Sequence, residues 1–208
     1  MTTTTDARST PTAAYPRRLS LKGRKSVGVR PMTYEDADAL HRFFRGIPEE
    51  DLLFLRRDVT DRDVIESWAQ DVAAGNTLTL LAEQDGRIVG EASIHRSRVP
   101  WTAHVGEIRV VVDAEHRTAG LGTALVQAIF LEALDLGTEK IIAEMTPDQK
   151  GAITLFQKLG FRIEGLLRDH VRDRAGQKRD LVVMAHEVHD ANNQLAQWGI
   201  AQAVEGAR

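Results

Sequence analysis

Val110-Val111-Val112-Asp113-Ala114-Glu115-His116-Arg117-Thr118-Ala119-Gly120-Leu121-Gly122-Thr123 is the stretch on which the fold turns. Three consecutive β-branched residues read as the end of a strand, and an acid-containing loop follows. Arg117, Gly120 and Gly122 then give Arg-x-x-Gly-x-Gly at the mouth of an apolar helix that runs to about Leu136 and is stopped by Gly137. Small residues at a helix start let the backbone approach an anion, whose charge the free N–H groups and the helix dipole favour. Arg117 adds a guanidinium suited to phosphate. The spacing fits neither common nucleotide fingerprint. Gly120 comes too late after Val112 for a dinucleotide turn, Leu125 stands where its third glycine belongs, and no Lys-Ser/Thr pair completes a P-loop. Taken alone, the segment is equally a glycine helix cap beside a surface arginine.

The flanking sequence supplies alternating elements. Upstream, Val27 to Arg30 starts a strand, and Thr33 with Asp36 caps a helix carrying Ala37, Leu40, Phe43, Phe44 and Ile47 at helical spacing. A second helix is predicted from Thr60, with Asp63 as capping partner, to near Gly75. Between them, Pro48 to Asp58 is a short helix or a loop. Thr77 to Glu83, Arg87 to His95 and His104 to Val112 read as strands, the first two joined by the tight turn Asp85-Gly86. Downstream come a compact strand, Lys140 to Met145, and a helix with Ala152, Leu155, Phe156 and Leu159 on one face, ended by Gly160. Two further strands, Phe161 to Val171 and Leu181 to Val188, are joined through Ala175-Gly176. The order β-α-α-β-β-β-α-β-α-β-β predicts an α/β (α+β) fold with a mixed, mostly antiparallel sheet and helices on both faces. The domain is expected over residues 26–188. Residues 1–25 read as a disordered basic leader, and 189–208 as a tail or loosely docked helix.

Composition narrows the chemistry. In 208 residues, 42% hydrophobic and 27% charged, there is material for one buried domain with tails. A net charge of −3 gives no global basic field for nucleic acid, although the leader is locally basic. No apolar run approaches the length of a membrane span, and no secretory signal opens the chain. Cysteine is absent, which excludes disulfides, thiolate metal sites and a cysteine nucleophile, and favours the cytoplasm. His186 and His189 do not make a metal site, so no metal is expected.

Strand, acidic loop and Arg-x-x-Gly-x-Gly together resemble the acetyl-CoA signature of the GNAT superfamily of N-acetyltransferases. Ala152-Ile-Thr-Leu-Phe-Gln-Lys-Leu-Gly-Phe161 is similar to that superfamily's later motif, Ala-x-x-Leu-Tyr-x-x-x-Gly-Phe, in the correct order. The resemblance implies that acetyl-CoA is the co-substrate. It places the backbones of Val110 and Val112 on the pantetheine arm, and Arg117, Thr118, Ala119, Gly120, Leu121, Gly122 and Thr123 around the pyrophosphate. Gln149 and Phe156 stand at cofactor-contacting motif positions where Asn and Tyr are usual. The backbone N–H of Val110 is the expected oxyanion donor, and Glu107 matches the place of a general base in several members. A strand carboxylate paired with Arg109 is the plain alternative for Glu107. His104 is a second candidate base, because an imidazole titrates near neutrality. Glu91 and Glu144 are read as structural.

Phe156 removes the usual phenolic general acid, although a thiol of pKa roughly 8.5 leaves tolerably without one. The resemblance implies transfer to a primary amine, on a protein lysine or N-terminus or on a small molecule. The acceptor is expected among Glu49, Glu50, Asp51, Arg56, Arg57, Trp101, Arg168, Asp169 and Arg172. The missing tyrosine keeps a non-catalytic acyl-CoA-binding module open, and the cofactor motif admits a longer acyl chain. Exposed edge strands in such sheets often pair, which leaves a homodimer open.

Overall fold

The computed structural model describes residues 15–21, 26–55, 57–97, 99–173 and 175–188. The chain forms β1 (Arg17–Ser20), β2 (Ser26–Pro31), α1 (Ala37–Arg45), α2 (Arg62–Ala73), β3 (Thr77–Gln84), β4 (Arg87–Arg96), β5 (Val105–Val112), α3 (Leu121–Asp135), β6 (Lys140–Met145), α4 (Lys150–Lys158), β7 (Arg162–Arg172) and β8 (Lys178–Glu187). The strands make one eight-stranded sheet in the order β1-β2-β3-β4-β5-β6-β8-β7. Among the described strands only β5 and β6 run parallel. The mixed, mostly antiparallel sheet with helices on both faces is therefore present.

One boundary moves. Part of the expected leader is a strand: Arg17 to Ser20 pairs antiparallel with β2 from Val29 back to Ser26. Its side chains alternate half-buried and exposed, and Leu19 packs on the core while Tyr15 donates a hydrogen bond to the buried Glu132 of α3 at 2.9 Å. Low hydrophobicity hid this strand, because a strand added to a sheet edge gets its main-chain bonds from its neighbour. Residues 1–14, 22–25 and the expected tail at 189–208 lie outside the described residues.

Two apolar layers sandwich the sheet. On one face, α3 and α4 pack with Ile108, Ile141 and Met184, and on the other α1 and α2 cover Leu81, Val111 and Leu181. Helix α3 is apolar on nearly every side because it is buried on nearly every side. It lies very close to β4: a Cβ on Gly90 would come within 2.9 Å of Leu125 Cδ1. Thr33 N donates to Asp36 Oδ2 at 2.8 Å, the expected capping contact of α1. Arg30 clamps both Asp36 oxygens at 2.7 Å and reaches Glu83 at 2.6 Å, which holds the Asp36 carboxyl below its usual range. Helix α2 is capped by Asp61, which accepts from Asp63 N, one residue beyond the expected Thr60.

The parallel pair matters most for the site. The β5–β6 ladder holds only Val105↔Lys140, Gly106↔Ile141 and Glu107↔Ile142. Beyond Glu107, β5 continues along β4 to Val112, while β6 continues along β8 to Met145. The sheet splits there.

Candidate active site

Strand β5 turns backbone into that gap. Asp113 N donates to Val89 O at 3.1 Å, one position past the Gly90↔Val112 pair. Bonded pairs in an antiparallel ladder recur at every second residue, so Val111, Arg109 and Glu107 bond to β4. The N–H and C=O groups of Val110 and Val112 therefore face the β6 side, where the parallel ladder has already ended. Their side chains pack on the α3 layer, in keeping with the expectation that the main chain alone is available there.

At the end of the gap stands the turn Ala114–Ala119. His116 fixes it from inside: its ring lies 2.6 Å from Asp113 Oδ1 through Nδ1 and 2.6 Å from Gln84 Oε1 through Nε2, and it is 5% exposed. Gly120 follows with φ +90°, a left-handed conformation that glycine adopts without strain. No side chain caps α3 at this position, and its first turn carries no acid. The N–H groups at the start of α3 are thus left for an anion. A Cβ on Gly122 would meet Leu155 and Val112 at ordinary distances of 3.6 and 3.9 Å, so any demand for glycine at that position comes from a ligand. Arg117 does not stand free over the cradle: its Nε donates to Val112 O at 3.1 Å and its Nη2 to Asp51 at 2.6 Å.

The opposite face of the same strands is polar. Register sets Thr77, His95 and Glu107 in one row across β3, β4 and β5, and Thr79, Ser93 and Arg109 in the next. Glu91 lies in the row beyond, between Leu81 and Val111. A cavity of about 190 Å³ opens over this floor, walled by Leu55, Arg57, Trp68, Thr77, His95 and Arg109 among others. Trp68 donates to Thr79 Oγ1 at 3.0 Å, and its ring lies 5.8 Å from that of His95. His95 Nε2 lies 3.1 Å from Ser93 Oγ. Glu91 is fully buried, and among the described residues neither of its oxygens meets a hydrogen-bond partner in good geometry. Burial pushes its carboxyl up to about 8, and Ser93 and the Arg109 charge pull the other way without overcoming it.

The expected site residues separate into groups. Glu107 sits on the last rung before the gap, ion-paired to Arg109 at 2.7 Å, so the plain alternative is the contact formed. His104 lies before the gap: it is exposed next to the start of β5, where the strands are still held together, and its carbonyl accepts from Glu139 and Lys140. The stretch of strand from it to Val110 spans roughly 20 Å. Phe156 is 6% exposed and packs edge to face on Phe161 at 4.9 Å, a core contact at the motif position expected to meet the cofactor. Gln149 uses its side-chain oxygen to accept from Thr146 N at 3.0 Å. Tyr15 is bonded to Glu132 and Tyr34 is half exposed beside α1, so neither stands in for the absent motif tyrosine.

Arg57 reaches the cavity, while Glu49 and Arg172 line a neighbouring one of about 260 Å³. Trp101 is 79% exposed in the turn before β5, and Arg56 lies outside the described residues. Sequence reasoning missed His95, Ser93, Thr77 and Trp68. The signal was available in β4, where Glu91, Ser93 and His95 alternate with apolar residues. Among the described residues no cluster of metal-ligating side chains occurs, and no helix is long and apolar enough to cross a membrane.

Comparison with known proteins agrees with this geometry. The chain is 31% identical over 108 residues to L-amino acid N-acetyltransferase AaaT of Escherichia coli (strain K12), covering 51% of this chain and 65% of that protein. It is 29% identical over 105 residues to N-acetyltransferase 8 of Rattus norvegicus, covering 50% of this chain and 46% of that one. It therefore spans about half to two thirds of the length of these curated relatives. Among solved structures, yncA of Salmonella typhimurium with its cofactor acetyl-CoA superposes with a TM-score of 0.66 at 20% identity, over 79% of this chain and 95% of that one. The description Acetyltransferase (GNAT) family fits residues 38–161, more than half of the chain, including β5, β6 and the start of α3 between them, and the chain belongs to that family.

Proposed function

We propose that this chain transfers an acetyl group from acetyl-CoA to the amine of a small acceptor that carries a carboxylate, of the L-amino-acid class. The carrying observation is the cavity on the α1–α2 face, which brings Arg57 and Arg109 together with apolar walls beside the split in the sheet. Two guanidiniums against the one wall carboxylate, Asp71, favour an acceptor carboxylate over a lysine side chain. The volume of about 190 Å³ is below the roughly 300–1,000 Å³ of sites for drug-sized ligands, which suits a small acceptor. The name of the Escherichia coli relative, an L-amino acid N-acetyltransferase, supports the same class.

The residues divide the work. Bound acetyl-CoA supplies an activated acyl group, as the yncA structure with its cofactor suggests. The uncapped start of α3, with Arg117, Thr118, Ala119, Gly120, Leu121, Gly122 and Thr123, holds the pyrophosphate. Val110 and Val112 offer main-chain bonds to the pantetheine arm, and the Val110 N–H stabilises the oxyanion. Arg109, kept in place by Glu107, anchors the acceptor carboxylate on the other side of the strand.

Release of free thiol from acetyl-CoA over a panel of L-amino acids, polyamines, aminoglycosides and lysine peptides tests the proposal. Turnover confined to carboxylate-bearing amines is the expected result. Turnover with polyamines or lysine peptides but not amino acids would overturn the acceptor class. Silence across the panel would overturn the transferase reading.

A further inference from the structure

Resting on that reading, we infer that His95 is the group that takes the proton from the acceptor ammonium. The ammonium of an acceptor has a pKa near 10 and cannot attack until it is deprotonated. Of the groups facing this floor, Arg57 and Arg109 carry charge but cannot take a proton. Glu107 is committed to Arg109 at 2.7 Å. Glu91 is fully buried in the row beyond Ser93, and Asp71 at the cavity wall accepts from Asn76 at 3.2 Å. His95 remains, in the cavity wall and directly across the ladder from Glu107 at the last rung before the split.

Its surroundings suit both charge states. The Ser93 hydroxyl, 3.1 Å from Nε2, can donate to a neutral ring and rotate to accept from a protonated one. Glu107 across the ladder stabilises the imidazolium, and the Trp68 ring holds the imidazole plane. The electron and proton count closes. His95 accepts one proton from the ammonium, and the freed amine attacks the acyl carbon to form the C–N bond. The C–S bond breaks with its electron pair going to sulfur. The second nitrogen proton ends on that sulfur, and the proton on His95 passes to water. The products are one amide, one thiol and one released proton.

The test compares wild type, His95→Gln and Glu107→Gln in kcat and KM against pH, with the best L-amino acid acceptor and with acetyl-CoA affinity measured by calorimetry. For His95→Gln, kcat should fall about 10²- to 10³-fold and lose the acid limb of its pH profile, with unchanged cofactor affinity. A His95→Gln enzyme within about 3-fold of wild-type kcat that keeps the limb would overturn the assignment while leaving the transferase standing. So would loss of the limb in Glu107→Gln alone. Should His95→Gln not fold, Ser93→Ala keeps the imidazole and removes its hydroxyl partner. The limb should then shift, and an unmoved limb would overturn the assignment. Wild-type silence on every amine would overturn the transferase reading and this one together.

Discussion

The two sides of strand β5 are made of different material. Toward β6 it offers main chain: the N–H groups of Val110 and Val112 and the C=O of Val110, then the uncapped start of α3 behind Gly120, while the Val112 C=O is held by Arg117. Toward α1 and α2 it offers side chains, Glu107 and Arg109, extended across the sheet by Ser93, His95 and Glu91. A binding surface made of backbone depends on conformation, so it costs little stability and tolerates most side-chain changes nearby. A floor of buried polar side chains is expensive, because each must find a partner or stay neutral. The difference predicts where this molecule is vulnerable.

The largest effect is expected from Glu91. Its carboxyl is raised to about 8 in the folded chain, against about 4.5 in the open one. Its stabilising balance is therefore best below pH 4.5 and is lost as pH rises toward 8, since the unfolded chain gives up the proton first. The loss is on the order of 5 kcal/mol across that window. Glu91→Gln has no proton to give up there, so denaturant unfolding of the variant should lack this slope and exceed wild type in stability at pH 8. Parallel curves for the two proteins would mean that the polar floor carries no such strain.

Next comes the backbone side. At φ +90° nothing lies within 4 Å of a Cβ built on Gly120, so Gly120→Val fits sterically but strains a β-branched residue. Relief of that strain disturbs the aligned N–H groups. Calorimetry should show acetyl-CoA affinity falling about 100-fold, near 3 kcal/mol. Retained affinity would sink the assignment of the cradle.

These two sites were unequally legible. Residues 110–123 announced themselves because a backbone cradle needs a local pattern of glycines, and local pattern is what a sequence displays. The floor was hidden because it is made by register: Thr77, His95 and Glu107 come from three strands and become neighbours only once the ladders are fixed. Spacing along β5 drew attention to Glu107 and His104 together, yet the split in the sheet begins only after Glu107. Strand β1 was hidden for another reason. Arg17, Arg18 and Ser20 carry no apolar signal, and the strand exists through its pairing with β2.

Arg109 sharpens the contrast at a smaller scale. Arg109→Gln should raise the acceptor KM about 10- to 30-fold and leave acetyl-CoA affinity unchanged, as measured by steady-state kinetics and calorimetry. It also takes the Arg109 charge away from the Glu107 carboxylate, only 11% exposed in its side chain, so the single variant should lose stability. The pair Glu107→Gln with Arg109→Gln removes both charges and should recover much of that stability while keeping the high KM. If KM recovers too, Arg109 is structural and the carboxylate anchor lies elsewhere.

The smallest effect concerns a contact that crosses between the sides. Arg117, the cradle's charged residue, is held at 2.6 Å by Asp51, which belongs to the segment leading to Leu55 and Arg57 in the cavity wall. Both partners are partly exposed, 41% and 22%, and such an ion pair is worth about 0–1 kcal/mol. If the pair only competes with phosphate for the guanidinium, Asp51→Asn releases Arg117 and acetyl-CoA should bind up to about 5-fold more tightly, the gain fading at high salt. A weaker affinity in Asp51→Asn would mean the opposite: Asp51 holds Arg117 in its working position. The backbone side would then depend on a side chain from the acceptor loop, and the two sides of β5 would be coupled rather than independent.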